Sequence, residues 1–153
     1  MIHRDVACRN ILLLNSNIAK LADFGLCCYC DKNGIFKDTM QKKFPVKWLS
    51  IEALRQGLFS DKSDVWAFGV LCFEVFSYGE IPYSMIEYPK MLEILKEGTR
   101  LEKPKDAPTY LYELMQDCWE EDTDKRPTFK EINRKIKLML EQESVKYGYV
   151  ILS

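Results

Sequence analysis

HRDVACRN, residues 3–10, and ADFG, residues 22–25, decide the reading of this 153-residue chain. In the first, Asp5 is followed five positions later by Asn10; in the second, Asp23 precedes Phe24-Gly25, eighteen positions after Asp5. Phosphoryl transfer needs a carboxylate to take the proton of an attacking hydroxyl, and oxygen ligands for Mg²⁺ on the nucleotide phosphates. Mg²⁺ keeps several waters and takes one or two protein carboxylates, so a sparse ligand set suffices. On that reading Asp5 is the base, and Asn10 and Asp23 are the metal ligands. Each stretch by itself is weak. A lone Asp-Phe-Gly is equally a strand end turning at a glycine, where Gly25 gives the backbone freedom to aim Asp23.

Around these stretches the first third reads as strand and loop. ILLL (11–14) and IAKLA (18–22) flank Asn15-Ser16-Asn17, which is hairpin punctuation. Residues 26–49 have no helical period and several turn formers, so they read as a long loop with short strands. From residue 51 the chain turns helical. SDVWAFGVLCFEVFSYG (63–79) starts at a Ser63 cap and is apolar on nearly every face, which predicts a buried central helix. PKMLEILKEG (89–98) sets Pro89 at a first helical position and Gly98 just past the end. TYLYELMQDCW (109–119) places Tyr110, Leu111, Leu114, Met115 and Cys118 on one stripe. TFKEINRKIKLMLEQE (128–143) opens with a Thr128–Glu131 capping box and repeats Phe129, Ile132, Ile136, Met139 and Leu140. After Glu143 that pattern fades.

Composition bounds the function. At 153 residues the chain fits one domain, and 47% hydrophobic with 29% charged residues is ordinary globular usage. A net charge of −1 gives no electrostatic case for nucleic acid or anionic membrane. The longest apolar run, from Val65, is broken by Glu74 and is too short for a membrane segment. Charges at His3-Arg4-Asp5 show no secretion signal, and six cysteines without framework spacing are expected in a reducing compartment.

The ordered blocks HRD…Asn10, Asp23-Phe24-Gly25, FPVKW (44–48), Glu52, DVWAFG (64–69), CW (118–119) and RPTF (126–129) resemble the C-terminal lobe of a protein kinase. The resemblance implies a mainly α, protein-kinase-like fold: the large lobe with a small β-hairpin and an activation segment, the N-terminal lobe absent. Residues 1–140 are then the lobe, with catalytic loop 3–10, activation segment 23–52 and helical subdomain 53–140, and 141–153 form a tail. Glu52 would close the activation segment and pair with Arg126, Asp64 would brace the catalytic loop, and Arg4 would partner a loop phosphate. Ala7 stands where serine/threonine kinases usually carry lysine, and V-A-C-R-N is similar to the A-A-R-N of receptor tyrosine kinases. Arg9 would pair with phosphate as a fork, and Pro45 and Trp48 of PVKW would form the tyrosine platform.

The resemblance therefore implies transfer of the γ-phosphoryl of ATP, with Mg²⁺, to protein tyrosine. The partners would be protein tyrosine substrates and an intact kinase lobe or dimer partner. Its place would be the cytoplasm, or the cytosolic face of a membrane for a receptor parent. The family's Gly-rich loop, strand lysine and helix glutamate have no counterpart in residues 1–153, so the chain alone is expected to bind ATP weakly and not to phosphorylate tyrosine. The rival reading is a non-catalytic truncated fragment acting as a binding or regulatory module. Without its preceding helix, one face of the central helix is expected to be exposed and to drive association.

Smaller features complete the reading. Ser50-Ile51-Glu52 replaces the usual Ala-Pro-Glu, and Gly34-Ile35-Phe36-Lys37 stands where the family often carries loop tyrosines, leaving Tyr29 and Thr39 as loop acceptors. Tyr147 and Tyr149 are candidate docking phosphosites. His3 is read as structural. Cys27, Cys28 and Cys30 lack the paired spacing of a zinc site and read as strand and turn, with redox chemistry the lesser alternative. Asp31-Lys32-Asn33-Gly34 reads as a turn, not a calcium loop.

Overall fold

The computed structural model describes residues 1–15, 18–39 and 43–147, the last three by backbone alone. In chain order the elements are β1 (Ile11–Leu14), β2 (Ile18–Leu21), β3 (Phe36–Lys37), α1 (Ile51–Gln56), β4 (Leu58–Phe59), α2 (Asp61–Phe76), α3 (Met91–Lys96), α4 (Thr109–Cys118) and α5 (Phe129–Tyr147). This is the mainly α lobe with a small hairpin that the sequence implies.

A helix apolar all round must be covered all round, and α2 is the centre of the core: Val65, Trp66 and Val70 are fully buried. Against it lies α4, whose Leu114, Met115 and Cys118 face inward. The two come close because position 69 is glycine. A Cβ there would stand 2.6 Å from Trp119 Nε1 and 2.9 Å from Cys118 Cβ. Ahead of α3, Pro89 lies in a 3-10 turn (Tyr88–Lys90), and Met91 and Leu95 join the same core.

The helix starts differ from expectation in one place. α2 is capped by Ser60, whose Oγ accepts the Lys62 N–H, while Ser63 closes the box by accepting the Ser60 N–H at 2.9 Å. The polar Asp61 and Lys62 hide the first turn from an apolar period, and their place suits acid near a helix start. Thr128 and Glu131 do exchange bonds at the start of α5, at 2.7 and 3.2 Å. That helix runs to Tyr147, past the fade at Glu143, because backbone pairing needs helix formers and no apolar stripe. Of its stripe Ile132 is buried, whereas Leu140 is exposed. Tyr149 and the Tyr147 side chain lie outside the described residues.

One side of α2 is covered by loop 3–10, while the stripe Phe68, Cys72, Val75 and Phe76 stays partly open, with Val75 54% exposed. Val6, Ala67 and Leu71 form a small buried cluster with Cys8, Ile11 and Phe68 against it. A further exposed apolar surface lies on the antiparallel β1–β2 hairpin, paired Ile11↔Leu21 to Leu14↔Ile18, where Leu13 is 75% exposed. Loop 6–11 folds over the helix and leaves the hairpin beyond it. A second pair, β3–β4, ties Phe36 to Phe59 and anchors loop 26–49 to the start of α2. Among the described residues no helix is long and apolar enough to cross a membrane.

Candidate active site

Loop 3–10 has little regular structure of its own, a single 3-10 turn at Cys8–Asn10. Its shape is imposed from α2. The Asp64 carboxylate accepts the His3 N–H at 2.7 Å and the Arg4 N–H at 2.8 Å. These bonds hold Arg4 at φ 65°, a left-handed conformation uncommon outside glycine. Burial pushes the Asp64 carboxyl above its ordinary range, and the two backbone donors oppose that shift. The loop is also tied to the strand end before Asp23: the Ala22 N–H donates to Asn10 O at 2.8 Å, and His3 Nε2 lies 3.1 Å from Ala22 O.

Four of the residues singled out from sequence meet. Asn10 Nδ2 donates to both the carbonyl and Oδ2 of Asp5, each at 2.8 Å. The Arg9 guanidinium takes the other carboxylate oxygen. Arg9 itself lies over the Trp48 ring, 4.5 Å from its centroid, and Trp48 belongs to the 3-10 turn that Pro45 caps. A half-buried carboxylate is thus held by an amide on one side and a cation on the other.

Asp23 follows Ala22, whose N–H is bonded to Asn10 O, and is exposed. Here the structure corrects the role of Gly25: Asp23 itself takes the left-handed conformation, φ 59°, and Gly25 does not. The Gly25 N–H donates to Asp23 Oδ1 at 3.1 Å, and a Cβ on Gly25 would sit at the same distance from that oxygen. The glycine supplies room for the carboxylate, not its backbone angle. Asn10 spends its NH₂ on Asp5, and its amide oxygen, like the Asp23 carboxylate, is a hard-oxygen donor of the kind Mg²⁺ takes. Among the described residues no three His, Cys, Asp or Glu side chains cluster to hold a metal ion. A cation there would need most of its oxygens from nucleotide and water.

The remaining residues have other partners. Arg4 enters a cage of Phe36, Phe44 and Phe59, and bonds Asp38 at 2.5 Å and Leu26 O at 2.6 Å. Arg126, 1% exposed, grips Glu52 with both arms, at 2.7 and 2.8 Å, far from loop 3–10 in the sequence and at the base of the helices. Cys28 pairs its backbone with Ile2 and, with Cys30, lies against the Ile2–Phe59 cluster, while Cys27 Sγ donates to His3 O. Two residues escaped the sequence reading. Asp38 carried no signal. Glu74 carried one, as the lone charge within the apolar run Val65–Phe76.

Comparison with known proteins follows this geometry. Residues 1–136 match the family model described as protein tyrosine and serine/threonine kinase. The chain is 46% identical over 149 residues to the protein named "Putative tyrosine-protein kinase F09A5.2" of Caenorhabditis elegans, covering 97% of this chain and 17% of that protein. It is 40% identical over 145 residues to human tyrosine-protein kinase FRK (94% and 29%), and 39% over 143 residues to the fibroblast growth factor receptor of Ciona intestinalis (94% and 19%). The chain therefore spans less than a third of the length of each relative. On the strength of the family match, the chain belongs to the protein tyrosine and serine/threonine kinase family.

Proposed function

We propose that this chain is the part of a tyrosine-protein kinase that receives the protein substrate and takes its proton. The observation that carries it is the Asp5 carboxylate, bonded by Asn10 and Arg9 with Arg9 lying on Trp48. Asp5 accepts the proton of the tyrosyl hydroxyl, and the amide and guanidinium keep its oxygens aimed. Arg9 has donors enough to hold Asp5 and a phosphate oxygen together, since a guanidinium carries five N–H groups. Pro45 and Trp48 offer the apolar ledge on which a phenol ring can lie. When bound, Mg·ATP supplies the γ-phosphoryl and the positive charge that offsets its oxygens, and Asn10 and Asp23 are the residues that would hold the cation. Arg4, Asp64, Glu52 and Arg126 support the loops and touch no reactant. Protein tyrosine substrates and a cytoplasmic setting go with this reading, as does an intact kinase lobe as partner.

Nothing in residues 1–153 is read as covering a nucleotide, so the chain alone is expected to give no turnover above an Asp5→Asn control. Joined behind the nucleotide-binding lobe of a relative, it is expected to phosphorylate a tyrosine polymer, and Asp5→Asn should lower that rate roughly 10²–10⁴-fold. Tyrosine transfer that survives Asp5→Asn, or transfer to a serine polymer instead, would overturn the proposal. A fusion that binds Mg·ATP and transfers nothing would favour the binding-module reading.

A further inference from the structure

Glu74 is a buried carboxylate, 8% exposed, in the middle of the most apolar helix of the molecule. Burying such a group is costly unless it is paired or hydrogen-bonded, and among the described residues no cation pairs with it. What it has is two donors on one oxygen. Oε2 accepts the backbone N–H of Cys8 at 3.0 Å and the indole Nε1–H of Trp48 at 3.0 Å. Cys8 lies in loop 3–10 and Trp48 in the 3-10 turn near the end of loop 26–49, two segments that share no strand or helix. One oxygen atom therefore fixes their separation, since two donors on the same acceptor cannot be further apart than twice the bond.

The fixed separation has a use. Cys8 is the backbone neighbour of Arg9, and Trp48 is the ring on which the Arg9 guanidinium lies. Setting Cys8 against Trp48 sets where the Arg9 chain begins and where it ends. Arg9 in turn holds the Asp5 carboxylate. We infer that Glu74 is a positioning residue that keeps Arg9 and Trp48 in register beside Asp5, acting through both and touching no substrate. This rests on the proposed function for its purpose, although not for its geometry.

The test is side-chain NMR of the 153-residue chain labelled with ¹⁵N in tryptophan and arginine, with no peptide or nucleotide present. Glu74→Leu keeps the volume and removes the acceptor; Glu74→Gln keeps an acceptor oxygen. In Glu74→Leu the Trp48 indole hydrogen is expected to exchange with solvent at least about tenfold faster, the scale set by an unsatisfied buried donor, and the Arg9 guanidinium signal to be lost. The indole signals of Trp66 and Trp119, which lie in the helical core, are expected to stay in place. Glu74→Gln should restore the Trp48 and Arg9 signals. A folded Glu74→Leu chain with Trp48 and Arg9 signals unchanged overturns the inference, and so does loss of all three indole signals together in both variants. Should Glu74→Leu not fold, Trp48→Phe removes one donor and leaves a ring; an Arg9 signal undisturbed by it also overturns the inference. If these signals behave as expected and the kinase fusion shows no tyrosine transfer, the proposed function fails and the positioning geometry stands.

Discussion

The helical base around Arg126 and the β1–β2 hairpin are both rich in apolar side chains, and they meet opposite fates. At the base, Trp66 is wholly buried against two guanidiniums, Arg100 at 4.9 Å and Arg126 at 5.0 Å, and each cation is bonded to backbone carbonyls besides. On the hairpin, Leu12, Leu13 and Leu14 stand 58%, 75% and 47% exposed. Leucine content does not separate them; covering elements do. The base has α1, α2 and the turns before α5 closing on one another, whereas the hairpin is a two-stranded ribbon with no layer over it. Such a ribbon is marginal on its own, and an uncovered apolar patch marks a place of association.

The sharpest way to break this contrast is to remove the cation that locks the base. Arg126→Ala leaves the Glu52 carboxylate without its partner and strips Trp66 of a stacked neighbour. Loss of one member of a buried pair costs about 3–5 kcal/mol, and urea denaturation should show it as a lower midpoint. A change under about 1 kcal/mol, ordinary for an exposed ion pair, would mean the base is no more locked than the surface.

Cysteine reactivity sharpens the same contrast. Burial pushes the Cys72 thiol up to about 12, and burial with the nearby Glu74 carboxylate pushes Cys8 up to about 11. Cys118 is raised too, chiefly by burial. Since the thiolate is the nucleophile, Cys72 carries about a thousandfold less of it at neutral pH than an ordinary thiol. Burial raises the Cys27, Cys28 and Cys30 thiols too, but these lie in a loop and not in the helical core, so alkylation at pH 8 should mark them well before Cys72 and Cys118. Equal rates at Cys27 and Cys72 would show that the base opens as readily as the loop. The smallest effect is expected on the hairpin. Leu13→Lys should change stability by no more than about 0.5 kcal/mol yet reduce self-association in sedimentation velocity. A marked loss of stability would show the hairpin to be covered after all.

How far the sequence reaches follows the same division. The central helix was legible because apolar residues at every angle require burial, and the start of α5 because Thr128 and Glu131 form a box by type and spacing alone. Ser60 was not, since polar residues in the first turn break the apolar period before the backbone stops being helical. Asp5, Asn10, Arg9 and Trp48 were readable as residues of one motif set, but their contact depends on folding two loops onto α2. The partner of Arg4 was hidden for a related reason. Asp38 lies 34 positions away, and nothing about a lone aspartate in a loop announces a cage of three phenylalanines. Gly25 was read as the hinge because glycine is the usual occupant of left-handed backbone; the structure gives that angle to Asp23, whose short side chain can accept a local bond and so tolerates it.

The bonds that shape loop 3–10 also fix when it can take shape. Its ties to α2 reach forward 61 positions from His3 to Asp64 and 66 from Cys8 to Glu74. A chain emerging from the ribosome at roughly 5–20 residues per second therefore exposes this loop for about 3–13 s before its anchors exist. Through that interval Arg4 has no carboxylate to hold its left-handed backbone, and Val6 and Ala7 have no helix to lie against. The loop with the most chemistry thus takes its shape only once α2 is made, and Glu52 waits still longer, 74 positions, for Arg126.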